Sequence, residues 1–293
     1  MKVLLFGSTG MLGQALVIEL KKRNVTLYTA SRENADFKVD FANKDSIETV
    51  LYKVKPDVII NTVANVNLQE CENNPSIAYM INARAVSILA EYSLQHSTYL
   101  IQISTDHYYL NDHTKLHDEL YPVRLVNEYA RTKYAGECFA LSSPKSLIIR
   151  TNIVGYRNKT NQPTFVEWVI KSLTNKESIT LFNDFYTSSI SVTQLSVILY
   201  DLLMKNVYGI FNIASKNVFS KQQFVQALSE KFDLDMSNSN TGSIHKNTQL
   251  MRADSLGLNV EKVEHVLGYE MPNLEQVVQD LYINYQEDLT SEI

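Results

Sequence analysis

Glycine stands at positions 7, 10 and 13 of the string GSTGMLG, directly after the continuous apolar run Val3, Leu4, Leu5 and Phe6. The whole chain of 293 residues has only nine glycines, so three of them within seven positions mark a backbone requirement rather than composition. A short run that is apolar at every position reads as a strand buried on both faces, as in a parallel sheet. Beyond the glycines, Leu12, Leu16, Ile18 and Leu20 recur near helical spacing over 11–23, and a second strand reads over 25–29. Strand, glycine turn, helix and strand make one βαβ unit. Glycine permits the sharp turn and a close backbone approach, and the N–H groups of the helix start point at whatever anion sits there. Gly7, Gly10 and Gly13, with Thr9, Met11 and Leu12 around them, form a candidate cradle for the pyrophosphate of a dinucleotide.

The alternation continues with helices expected over 44–54, 76–95 and 127–141 and strands over 57–60, 99–103 and 147–150. Repeated βα units with short loops imply an α/β fold, a doubly wound parallel sheet of the Rossmann kind, over residues 1–150. From 151 to 293 the pattern is less regular, with helices at 164–173, 192–204 and 220–232, a strand at 209–213 and a polar loop at 235–242. These residues are expected to form a smaller mixed α/β substrate lobe, with some segments returning to the Rossmann core. No stretch approaches the ~20 apolar residues of a membrane-spanning helix. Gly7 interrupts the N-terminal apolar run too early for a secretory leader. A formal net charge of −5 argues against a nucleic-acid surface. The two cysteines, Cys71 and Cys138, lack metal or disulfide spacing, which makes the reducing cytoplasm the expected setting. His113 and His117 lack the order of a zinc helix, so no metal site is assigned.

Cofactor choice reads at the end of the second strand, where an acidic residue suits a ribose hydroxyl and an arginine suits a 2′-phosphate. Ser31 and Arg32 stand there, favouring NADP(H), while Glu33 keeps NAD(H) open. Asp40, after a short strand at 36–39, is positioned either to bond the adenine or to cap the next helix. Tyr129 and Lys133 are four residues apart on one expected helix, so both project from one face. A cation beside a phenol stabilises the phenolate and lowers a pKa otherwise near 10. Such a tyrosine can donate a proton to a carbonyl oxygen as the carbon is reduced. The strand 99–103 runs into Ser104, Thr105 and Asp106, at the end of a parallel strand where ligands sit.

With GSTGMLGQAL, QISTDHYY, YARTKYAGE, IIRTNIVGY and RADSLGLNVEKVEHVLGYEMPNLEQ at these places, the chain resembles the extended short-chain dehydrogenase/reductase family, and within it the dTDP-4-dehydrorhamnose reductase branch. The resemblance covers nearly the whole chain. It implies NADPH-dependent reduction of a 4-keto group on a nucleotide-linked deoxysugar, in polysaccharide or O-antigen sugar biosynthesis. It implies Thr105, Tyr129 and Lys133 as the catalytic set, with Tyr129 and Lys133 also touching the cofactor. Ala64 and Asn65 would line the cofactor loop after the fourth strand, and Asn82 would order the active site. Ser104, Thr105, Asp106, His107, Ile153 and Arg252 are the candidate substrate contacts. His107 replaces a tyrosine common in the branch and Ile153 a tryptophan, which leaves the identity of the sugar open. A nucleotide-sugar epimerase and a non-catalytic NADP-binding regulatory subunit are the alternatives. A homodimer is the base-rate expectation.

Overall fold

The apolar run forms β1 (Lys2–Phe6), the glycine string turns into α1 (Met11–Lys21), and β2 (Thr26–Ser31) and β3 (Phe37–Lys38) follow. This is a computed structural model, and it describes residues 1–159, 161–246 and 250–291. Next come α2 (Lys44–Val54), β4 (Val58–Asn61), the short helices α3 (Leu68–Asn73) and α4 (Pro75–Tyr79), a π-helical turn (Met80–Arg84) and α5 (Ala85–His96). β5 (Tyr99–Ile103), α6 (Glu128–Ala140) and β6 (Ser146–Arg150) complete the regular alternation. The helices start where side chains can take up free N–H groups: Asn43 accepts from Ser46 N at 3.3 Å and Asn127 from Ala130 N at 2.8 Å.

The remainder runs through β7 (Ile153–Val154), α7 (Phe165–Thr174), β8 (Thr180–Phe182), β9 (Tyr186–Thr187), β10 (Ile190–Ser191), α8 (Val192–Lys205) and β11 (Gly209–Asn212). It ends with β12 (Phe219–Ser220), α9 (Lys221–Phe232), β13 (Asn240–Gly242), β14 (Ser255–Leu256), α10 (Glu261–Leu267) and α11 (Leu274–Ser291). Thr164 with Glu167, and Ser220 with Gln223, form reciprocal capping boxes at α7 and α9.

Seven strands make one sheet in the order β11-β6-β5-β4-β1-β2-β3, with parallel pairing from β3 to β6. The chain moves outward from β1 to β3 and then returns to β4, so strand order reverses between β1 and β4. Ligands of doubly wound sheets bind beyond the carboxyl ends of the strands at such a reversal. The glycine turn leaves β1 at that point.

Two compact units result. The first holds Met1–Tyr108, Arg124–Arg150 and Ser196–Phe211; the second holds Tyr109–Val123, Thr151–Leu195 and Asn212–Ile293. In the first, Leu4, Phe6, Ile59, Leu100 and Ile148 of the sheet bury against Ile47 and Leu51 of α2 and Val86 and Leu89 of α5. Each such side chain contributes about 1.5–3 kcal/mol when fully buried. In the second, α7, α9 and α11 meet through Val169, Ile170, Phe224, Leu228, Val277 and Leu281. There, His117 is fully buried, stacked on Tyr109 at 3.9 Å, with Nδ1 2.7 Å from the Gly257 carbonyl and Nε2 3.2 Å from Asp112.

Two expectations are corrected. The helix expected over 76–95 is interrupted by the π turn, where the Ala85 N–H reaches back to the Met80 carbonyl and one extra residue enters the turn. The polar stretch 235–242 is not all loop, because Asn240–Gly242 pairs in parallel with Thr180–Phe182. Backbone hydrogen bonding, which side-chain polarity does not report, makes that strand.

Candidate active site

Gly7 adopts a left-handed backbone (φ 86°), where other residues are strained. Its N–H bonds the Ala30 carbonyl at 2.8 Å and its carbonyl accepts from Gly10 N at 2.9 Å. A Cβ on Gly13 would lie 2.0 Å from the Gly7 carbonyl oxygen, so α1 packs against the turn only because residue 13 is glycine. Gly10 differs: its φ of −78° suits any residue, and a Cβ there would meet only the Gly7 oxygen, at 3.3 Å. Internal packing gives little reason for glycine at 10. What glycine does there is leave the start of α1 bare, with no side-chain cap. Ser8 adds a buried hydroxyl without a hydrogen-bond partner among the described residues. Thr9 and Met11 are half-buried at this turn, and Leu12 is buried behind it. A bare helix start beside backbone that no Cβ screens fits a diphosphate.

β2 extends to Ser31, two residues past its expected end. Ser31 is buried, and its hydroxyl donates to the Glu33 carbonyl, while Arg32 and Glu33 are exposed. Asp36 accepts from Thr29 N at 2.8 Å and Thr29 Oγ1 at 2.9 Å, closing the loop that carries Arg32. Asp40 is exposed and accepts from Ala42 N at 2.9 Å, while the cap of α2 is Asn43.

After β4, Ala64 and Asn65 are half-buried. Asn82, 1% exposed on the π turn, clasps Asn65 at both ends of its backbone: Oδ1 accepts from Asn65 N at 2.7 Å and Nδ2 donates to Asn65 O at 3.0 Å. Nδ2 also donates to Thr132 Oγ1 at 3.1 Å, tying the loop to α6. Gly136 permits this approach, since a Cβ there would lie 2.3 Å from the Asn82 carbonyl oxygen.

Thr105, Tyr129 and Lys133 are 3%, 8% and 4% exposed. Thr105 Oγ1 accepts from His107 N at 3.2 Å and lies beside the Tyr129 phenol. Burial drives the phenol pKa well above its ordinary value; the nearby Thr105 hydroxyl opposes this, while Asp106 and Cys71 add to it. The lowering expected from Lys133 is therefore not what this arrangement produces. Burial also lowers the Lys133 ammonium to about 8, partly offset by Glu137. Its Nζ donates to the Ile103 carbonyl at 2.7 Å, an oxygen that Gln102 Nε2 also reaches at 2.7 Å.

Thr105 and Ser104 face different partners. Ser104 Oγ donates to Glu137 at 2.5 Å, in a buried network with Tyr108 and Arg150. Asp106 is buried, and His107 is half-buried with its ring edge-on to Tyr129 at 5.5 Å and 89°. Ile153 on β7 and the exposed Arg252 belong to the second unit. Sequence reasoning passed over Glu137 and Cys71. A glutamate four residues after Lys133, on the face that carries Tyr129, was a visible signal; the buried Cys71 thiol packing on Tyr129 had none.

The family described as RmlD substrate binding domain matches residues 1–287. The chain belongs to that family. Among relatives of this RmlD-family chain, the dTDP-4-dehydrorhamnose reductase of Salmonella typhimurium is 29% identical over 187 residues, 64% of this chain and 61% of that one. The chain thus matches about three fifths of that relative's length. The probable low-salt glycan biosynthesis reductase Agl14 of Haloferax volcanii is 26% identical over 281 residues, 92% of this chain and 93% of the relative. The crystal structure of dTDP-4-dehydrorhamnose reductase from Bacillus anthracis, in complex with NADP, has the same fold: TM-score 0.88 at 24% identity, covering 97% of this chain and 99% of that one.

Proposed function

We propose that the protein is an NADP(H)-dependent oxidoreductase that reduces a 4-keto group on a nucleotide-linked deoxysugar for polysaccharide biosynthesis. The observation that carries this reading is the juxtaposition of the buried Thr105 hydroxyl at the end of β5 and the buried Tyr129 phenol, with Lys133 one turn further along α6. Membership of a family whose relatives are named as reductases supports it. The glycine turn supports a dinucleotide, and Arg32, exposed beyond β2, supports the 2′-phosphate of NADP(H), with NAD(H) the lesser cofactor.

A bound nicotinamide supplies the two-electron reduction of the carbonyl carbon. Tyr129, which burial keeps protonated through neutral pH, gives its phenolic proton to the carbonyl oxygen as that oxygen gains charge. Thr105 Oγ1, beside the phenol, bonds the same oxygen and holds it in line. Lys133, a cation below about pH 8 one turn along α6 from Tyr129, would touch the bound cofactor. Asn82 acts at a distance, fixing the Asn65 loop and α6 in one arrangement. The proposed working form is a cytoplasmic homodimer; both cysteines are free, and among the described residues no helix is long and apolar enough to cross a membrane.

The test is NADPH oxidation with dTDP-, UDP-, GDP- and CDP-linked 4-keto-6-deoxysugars, read by nicotinamide absorbance, beside a thermal-shift panel. Turnover with one nucleotide series, abolished in Tyr129→Phe, is the expected result. No oxidation of NADPH or NADH together with no stabilisation by any of these compounds is the result that would overturn the reading.

A further inference from the structure

Lys133 is buried, and an ammonium has three N–H groups to place. Among the described residues it has one hydrogen-bond acceptor, the Ile103 carbonyl at 2.7 Å. Buried donors are ordinarily matched, so unmatched N–H groups at this depth mark a place where a ligand oxygen completes the set. The Gln102 side chain stands on the same carbonyl oxygen and has an acceptor of its own to offer. It presents nitrogen there instead, with Nε2 donating to Ile103 O at 2.7 Å. Its oxygen is turned to Asn61, whose Nδ2 donates to Gln102 Oε1 at 2.8 Å. Asn61 and Gln102 are partners in register across β4 and β5, and both are fully or almost fully buried.

The direction of these bonds is set at one end. Val63 N, in the loop after β4, donates to Asn61 Oδ1 at 3.0 Å. A backbone N–H can only donate, so Asn61 must face it with oxygen and face Gln102 with nitrogen. Gln102 must then answer with Oε1, which leaves Nε2 for the Ile103 carbonyl. Val63 in turn is pressed against the glycine turn, since a Cβ on Gly7 would lie 3.1 Å from Val63 N. Resting on the proposed reductase function, we infer that Asn61 and Gln102 are positioning residues: Asn61 locks the Gln102 amide with its nitrogen on the Ile103 carbonyl, so that no oxygen of Gln102 competes for Lys133 and its remaining N–H groups stay available to the bound cofactor. The bond between the two amides is equally good in either direction. Only the reversed direction puts an oxygen beside Lys133, and the Val63 N–H forbids it. All of these residues belong to the first unit.

Asn61→Leu removes the lock and frees the Gln102 amide to turn its oxygen to the ammonium. Lysine 13Cε NMR, with the Lys133 signal assigned through Lys133→Met, should then show the titration midpoint raised by about 1 unit, the worth of one charge-assisted hydrogen bond. NADP+ affinity, read by calorimetry, should fall about tenfold, because the cofactor must displace that bond. Asn61→Leu with Gln102→Met removes the competing oxygen, and both readouts should return towards wild type. Val63 N loses its acceptor equally in the two variants, and Tyr129 and Glu137 on α6 are unaltered, so neither accounts for a difference between them. An amide pair that serves only the sheet predicts lower stability with an unmoved midpoint. That result in a folded Asn61→Leu, or a rise that Gln102→Met fails to reverse, would overturn the inference. Should Asn61→Leu not fold, the wild type decides: the Gln102 Nε2 protons should show NOE contacts to the Lys133 side chain, and contacts to Asn61 in their place overturn the lock. A wild type that binds no NADP+ sinks the reductase reading, while the Lys133 midpoint across the variants still decides this one.

Discussion

Replacing Gly136 by alanine opposes two effects of known sign. In an exposed helix interior, Gly→Ala stabilises by about 0.8–1.0 kcal/mol, because alanine has less backbone freedom to lose. Here the added Cβ would lie 2.3 Å from the Asn82 carbonyl oxygen and 3.5 Å from Val86 Cγ2. An ordinary carbon–oxygen contact is about 3.3 Å, so α6 and the π turn must separate by about 1 Å. Overpacking of this kind costs about 1–3 kcal/mol, and the obstructing atom is backbone that no rotamer change can move. The net expectation is a loss of up to about 2 kcal/mol, read as a lower urea midpoint with an unchanged slope. Activity should suffer more. Asn82 bridges the Asn65 loop to Thr132, between Tyr129 and Lys133, so separation displaces the site itself. A misplacement of about 1 Å costs on the order of 100-fold in rate, or about 2.7 kcal/mol. A Gly136→Ala variant that is more stable than wild type, with kcat/KM unchanged, would refute the reasoning.

Gly13→Ala brings a Cβ to 2.0 Å from the Gly7 oxygen and should abolish NADPH binding in a fluorescence titration while circular dichroism still reports the fold; undiminished affinity would contradict it. Arg32→Ala removes a charge-assisted contact of about 1.5–3 kcal/mol, so NADPH affinity should fall roughly 10- to 100-fold and NADH affinity stay unchanged. Lys133 falls from 10.5 to about 8 on folding, so the unfolded chain holds a proton that the folded chain releases across that window. Stability therefore rises with pH between about 8 and 10.5, and below it the full penalty, about 3 kcal/mol, is present. Lys133→Met should gain stability at pH 7 by up to that amount, lose the alkaline rise and lose activity; urea unfolding at both pH values checks the sign.

Period and turn chemistry made the Rossmann sheet legible. Strands apolar at every position and glycines at a strand-to-helix turn are local consequences of burial and backbone geometry. Thr105, Tyr129 and Lys133 were legible for a related reason, since a strand end and a four-residue helical spacing each assign a direction to a side chain. The π turn was not legible, because one extra residue leaves the apolar pattern of 76–95 close to helical while rotating Asn82 onto the Asn65 loop. The sign of the Tyr129 shift depended on how much burial the folded chain imposes, which no spacing reports. Ser104 and Thr105 are adjacent hydroxyls in the string STD, and only packing against Glu137 distinguishes them. β13 was hidden because strand pairing at an edge is a backbone property.

The loop bearing Arg32 is closed from outside itself. Thr29 and Asp36 bond to each other at its base, and the Ser31 hydroxyl meets the Glu33 backbone, while the side chains of Arg32, Glu33 and Asn34 all face solvent. Exposed substitutions away from such bonds usually change stability by less than about 0.5 kcal/mol. The cofactor preference proposed for these positions is therefore separable from foldability: if they set it, lineages can drift between phosphorylated and unphosphorylated dinucleotides, and an engineer can exchange them, without disturbing the sheet that presents them.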